Sequence, residues 1–106
     1  MSARVKVLEP SGILDGLKGD ELSREIKDAV NAGTEIVLID LKDIPFMDTS
    51  GLGVLISATK RVRSAGHKLF LCSVNEQIKM LFDLTETDRF FEKFADQFEF
   101  KRQMEG

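Results

Sequence analysis

The chain has 106 residues, 42% of them hydrophobic, and a formal net charge of −3. That is enough apolar material for one core and too much for a disordered chain. Charges of both signs are interspersed and the longest basic cluster is only Lys60-Arg61-Val62-Arg63, so nucleic acid is not an expected partner. No apolar run approaches the ~20 residues that span a bilayer, and the first residues lack a signal peptide's apolar core. The single cysteine cannot form an internal disulfide. A reducing, cytoplasmic setting without a membrane partner is the expectation. Residues 1–106 read as one domain, with a polar tail over 101–106.

In chain order, Arg4 to Leu8 alternates polar and apolar residues as a strand does. Pro10-Ser11-Gly12 supplies turn chemistry before Ile13-Leu14, so the start reads as a hairpin. Leu22, Ile26, Ala29 and Val30 fall on one face of a helix over 17–30, closed near Gly33. Ile36-Val37-Leu38-Ile39 is an unbroken apolar run that suits a central strand covered on both faces. A helix from about Ser50 to Ala65, closed by Gly66, and a second strand-like run over 68–74 complete a βαβ unit.

Ser73-Val74-Asn75-Glu76 matches a capping box and predicts a helix through Leu84. Phe90-Phe91 reads as a brief strand, followed by a terminal helix. The fold class is therefore α/β: a small mixed β-sheet with helices packed on it.

The junction Met47-Asp48-Thr49-Ser50-Gly51-Leu52-Gly53 carries the most functional information. It leaves the C-terminal end of a central strand and opens a helix, where unpaired N–H groups and the positive dipole end converge. Asp48, Thr49 and Ser50 are all favoured N-cap types. Ser50 is open to two readings, a helix cap or an acceptor of a phosphoryl group.

Projected at helical spacing, Leu52, Leu55, Ile56, Thr59 and Val62 form the core face. Val54 then points to solvent near Ser57 and Arg61, and Gly51 and Gly53 leave the backbone open to close approach. With an accessible Met47, these residues sketch a docking surface governed by Ser50.

The order of elements, Ile36-Val37-Leu38-Ile39-Asp40-Leu41, then Phe46-Met47-Asp48-Thr49-Ser50-Gly51-Leu52-Gly53-Val54-Leu55, then Leu69-Phe70-Leu71, resembles the STAS domain family. More narrowly it is similar to the stand-alone bacterial anti-sigma factor antagonists, from Val5 to about Phe94. The resemblance implies that Ser50 is phosphorylated by a partner anti-sigma factor that is itself a serine kinase. It further implies that the unphosphorylated form binds this partner and that a serine phosphatase resets it. Asp48 corresponds to the aspartate of the family's motif. Thr49 stands where serine is frequent, which leaves it as a minor acceptor. Other members scaffold signalling assemblies or serve transporters, so a constitutive scaffold in which Ser50 only caps a helix is the second reading.

The remaining singular residues read plainly. Cys72, on an inner strand, is expected to be a buried, inert thiol, and His67 a surface imidazole at a helix exit. Asp40, Asp43 and Asp48 do not make a metal site by spacing, and Asp40 is expected to end a strand or cap the loop. Gly51-Leu52-Gly53 is no nucleotide fingerprint. No cofactor, no metal and no enzymatic acid–base constellation are expected. The phenylalanines at 90, 91, 94, 98 and 100 are expected to pack the terminal elements on the sheet. Their second reading puts Phe98 or Phe100 on a surface for weak homodimerisation.

Overall fold

The two unbroken apolar runs form the centre of the sheet. In the computed structural model, which describes residues 3–105, β2 (Ile36–Asp40) pairs with β3 (Lys68–Cys72). β1 (Val5–Leu8) lies outside β2 and β4 (Glu92–Phe94) outside β3, giving the order β1-β2-β3-β4. Between them run α1 (Gly16–Asn31), α2 (Thr49–Ser64) and α3 (Glu76–Leu84), and α4 (Gln97–Glu105) follows β4. A short 3-10 turn over Asp88–Phe90 precedes β4. The α/β class with helices packed on a sheet holds as expected.

Among the described residues every strand pair is parallel, so the sheet is not mixed and its start is not a hairpin. After β1 the chain shifts sideways at Pro10-Ser11-Gly12 without reversing. It then follows the continuation of β2, with parallel bridges Ser11↔Asp43 and Leu14↔Met47. Turn residues specify a change of direction and leave its angle to the partners beyond, which here are backbone groups at 43–47.

Period-two alternation splits the strands between two cores. Leu8, Val37, Ile39, Leu69 and Leu71 face α1, α2 and α3, whose Leu22, Ile26, Leu52, Leu55, Ile78 and Phe82 complete the larger core. Leu38, Phe70 and Cys72 face the other way and meet Phe100 of α4. Glycines at φ +103 (Gly33) and +85 (Gly66) end α1 and α2, as their positions predict.

Three local expectations change. The N-cap of α3 is Asn75, whose side chain accepts from the Ile78 N–H, and Ser73 sits two residues earlier at φ +60. The last strand is Glu92–Phe94 instead of Phe90-Phe91, because Phe91 turns into the larger core and stacks on Phe82 at 4.8 Å. The residues read as a polar tail continue α4 through Glu105, since Phe100 anchors that helix against Phe70 and Phe94. Gly106 lies outside the described residues.

Candidate functional site

Two backbone segments, 13–17 and 46–51, are joined edge to edge at the N-terminus of α2. The Leu14 N–H donates to the Phe46 carbonyl at 2.9 Å, and the Leu14 carbonyl accepts from the Asp48 N–H at 3.2 Å. The first turn of α2 is pressed onto the same stretch. A Cβ on Gly51 would lie 2.0 Å from the Leu14 carbonyl oxygen, so only glycine fits. Ser50 lies one position earlier, its Cβ 3.5 Å from where a side chain on Gly16 would begin.

The cap of α2 is Asp48. Its backbone is extended and its Oδ1 accepts from the Gly51 N–H at 2.8 Å. Thr49 and Ser50 are the first two helical residues, and both are exposed. With the carboxylate of Asp48 serving the cap, the Ser50 hydroxyl is left facing solvent at the positive end of the helix. It lines a shallow groove of about 530 Å³ between α1 and α2, together with Gly16, Asp20, Gly53, Ser57 and Arg61.

Two of the expected contact residues, Met47 and Gly51, are buried, and a third, Val54, is half-buried. Met47 is 0% exposed, because its side chain enters the larger core under α2. Gly51 is buried against Leu14 and offers no open backbone, whereas Gly53 has open space around it. Val54 is half-buried on α1, where its Cβ leaves no room for a side chain at Gly19, which would begin 2.9 Å away, and it still lines the groove that holds Ser50. Projecting α2 alone missed this second contact, which also buries Ala58 and leaves Ile56 only partly covered. Ser57 is exposed on the same groove as Ser50, as expected.

The two joined segments also carry exposed apolar side chains that the sequence reading passed over. Ile13 is 57% exposed, Leu17 71% and Phe46 46%. All three sit on the two joined segments. Leu17 falls five residues before Leu22, off the inner stripe of α1, and that displacement was the available signal. Ile13 and Phe46 flank turn residues, where periodicity carries no information.

A second polar cluster lies across the C-terminal edge of the sheet. Asp40, the last residue of β2, is buried and accepts from Gln97 Nε2 at 2.7 Å and from the Lys42 N–H at 2.9 Å. Glu9 accepts from the same Gln97 amide at 2.7 Å and pairs with Lys42 Nζ at 2.7 Å. Burial pushes the Asp40 carboxyl up, but bonds from Gln97, the Lys42 N–H and Ser73, with the Lys42 charge, hold it below its ordinary 3.8. Bonds from Lys42 and Gln97 likewise lower Glu9 from 4.5.

Both groups are therefore more acidic folded than unfolded. Their stabilising contribution is complete above the unfolded values and is lost as pH falls through the folded ones. In thermal melts between pH 6 and pH 2, Asp40→Asn is expected to lose stability with acid less steeply than the wild type. An identical slope would remove Asp40 from the acid response.

Cys72 is buried, and desolvation together with the Asp40 charge pushes its thiol up to about 11, so it is unreactive near neutrality. Phe100 is buried in the smaller core and is no self-association residue, while Phe98 remains 69% exposed. Asp40 and Asp48 are committed to Gln97 and to the α2 cap, and no metal-holding group of three or more His, Cys, Asp or Glu occurs among the described residues. Among those residues no helix is long and apolar enough to cross a membrane.

The model of the STAS domain matches residues 2–100. The anti-sigma F factor antagonist of Paenibacillus polymyxa is 30% identical over 82 residues, which is 76% of this chain and 70% of that protein. The anti-sigma-B factor antagonist of Bacillus subtilis is 32% identical over 75 residues, covering 71% of this chain and 68% of its own. The fold is similar to the crystal structure of an anti-sigma factor antagonist from Mycobacterium paratuberculosis, with a TM-score of 0.80 over 96% of this chain and 86% of that one. At 19% identity, that last likeness concerns the fold alone.

Proposed function

The chain belongs to the STAS domain family, and we propose that it is an anti-sigma factor antagonist switched by a phosphoryl group on Ser50. The observation that carries this is the division of labour at the start of α2: Asp48 caps the helix, and Ser50 beside it is exposed. A serine needed only as a cap would hold the bond that Asp48 makes. The names of the relatives supply the partner class, an anti-sigma factor.

The chain is the substrate in this reading and not the catalyst. The partner kinase supplies Mg²⁺, the groups that hold ATP, and the general base. The Ser50 oxygen attacks the γ-phosphorus and its proton passes to that base. The bond from the γ-phosphorus to the β–γ bridging oxygen breaks, and ADP leaves. A phosphatase restores the hydroxyl by transferring the phosphoryl group to water. The modified side chain carries roughly −1.5 to −2 charges. The helix N-terminus tolerates that charge, but a partner seated over Ser50 must desolvate it.

Thr49, one residue earlier on the same exposed turn, is the minor acceptor. The setting is the cytoplasm, where kinase and ATP are available. Exposed Phe98 supports at most weak self-association.

The test is capture from native lysate on the immobilised chain, followed by incubation of the captured kinase with the chain and Mg·ATP. Mass spectrometry is expected to find one phosphoryl group, mapped to Ser50, and none on Ser50→Ala. That variant keeps its stability within about 0.5 kcal/mol, because it removes no cap. Phosphate mapped to another element, or none added by a partner that binds, would sink the reading.

A further inference from the structure

The loop that presents Ser50 is held from the side by α3. Gln77 donates from Nε2 to the Met47 carbonyl at 2.9 Å and accepts from the Met47 N–H at 2.9 Å through Oε1. One side-chain amide thus closes on both backbone groups of a residue 30 positions away. Two residues earlier, Asn75 donates to the Ile44 carbonyl at 2.9 Å while its oxygen caps α3. The stretch between β2 and α2 is therefore held at two points, by Asn75 at Ile44 and by Gln77 at Met47.

We infer that Gln77 is a positioning residue for phosphoryl transfer to Ser50, acting through the Met47 backbone. The inference rests on Ser50 being the acceptor. Ser50 lies three positions after the clamped Met47, and the intervening Asp48 is the α2 cap. A shift of Met47 is transmitted to the cap and then to Ser50. In-line transfer needs the attacking oxygen held within a fraction of an ångström of its line of approach, and misplacement by about 1 Å can cost 10²-fold.

The chemistry requires an amide. A carboxylate at 77 could accept from the Met47 N–H but would set its second oxygen against the Met47 carbonyl. A thioether would fill the space and make neither bond. Gln77 contributes nothing to the apolar rim of Ile13, Leu17 and Phe46, so its loss should act on the transfer step more than on docking.

The test compares the wild type with Gln77→Met and Gln77→Glu in two measurements. Amide hydrogen exchange needs no partner. The Met47 N–H is expected to exchange at least tenfold faster in Gln77→Met, while Val37, Leu38 and Ile39 in β2 keep their wild-type protection and so report an intact fold. Unchanged exchange at Met47 overturns the clamp.

In the second measurement, the kinase captured on the wild-type chain phosphorylates each protein with Mg·ATP. The kcat for Ser50 is expected to fall about tenfold in both variants, with KM within about twofold of the wild type. Equal kcat with accelerated Met47 exchange overturns the positioning role, as does a change confined to KM. No phosphate on wild-type Ser50 overturns the functional reading and the positioning role with it, while the exchange data still decide the clamp.

Discussion

Gly51→Ala is expected to cost about 3 kcal/mol or more, lowering the melting temperature by roughly 12 °C or more in a domain of this size. The added Cβ would sit 2.0 Å from the Leu14 carbonyl oxygen and 2.7 Å from its carbon. Both atoms are backbone and cannot turn aside. Relief requires α2 to move away from the 13–17 segment, which strains the bond from the Asp48 N–H to that same carbonyl and the Asp48 bond to the Gly51 N–H. Gly53→Ala is the control. It lies two residues further along the same helix with open space around it, so alanine there should stabilise by about 0.5–1 kcal/mol through helix propensity. Thermal and urea denaturation of the pair measure the difference directly. Equal effects of the two substitutions would mean that the contact between α2 and Leu14 does not constrain the fold.

This pair also marks where the sequence was legible. Gly51 and Gly53 look alike in a linear reading, both flanking Leu52 in a motif with Ser50. Only the arrival of Leu14 from a segment more than thirty residues earlier separates them. The central strands, the two glycine helix ends and the exposed Ser50 were readable because each depends on local pattern or on backbone conformation. The hairpin was misread because turn residues do not say which partner the chain finds next.

The burial of Met47 and the partial burial of Val54 escape a linear reading for a related reason. Their burial is imposed by elements that pack on α2 from outside its own period. The Gln97 amide shared by Asp40 and Glu9, and the Gln77 clamp on Met47, gave no sequence signal at all. A single glutamine at long range has no spacing to read.

The partner's footprint is where the largest effect on binding is expected. Leu17→Lys and Phe46→Lys together should weaken binding of the captured partner at least 100-fold, about 2.7 kcal/mol or more, with the fold intact. Leu17 is 71% and Phe46 46% exposed on the segments joined at Leu14, and neither belongs to a core cluster, so charging them removes little from either core. Lysine at Met80 and Leu84 of α3, which are 62% and 77% exposed, is the matched control and should leave affinity unchanged. Isothermal titration calorimetry with the captured anti-sigma factor separates the two pairs.

The rim also gives the switch its physical form. Ser50 opens the helix that the joined 13–17 and 46–51 segments adjoin, so a partner that covers Ile13, Leu17 and Phe46 together with Ser50 excludes water from the hydroxyl as well. A neutral hydroxyl there costs little, whereas a charge must lose its hydration without a partner to replace it. Ser50→Asp and Leu17→Lys should then break one and the same contact, the first by adding a desolvation penalty and the second by removing the apolar gain. Their combined effect is expected to fall short of the sum of the single effects, since a contact already lost cannot be lost twice. Full additivity would place Ser50 and the apolar rim in separate interfaces, and the phosphate would then have to act by another route.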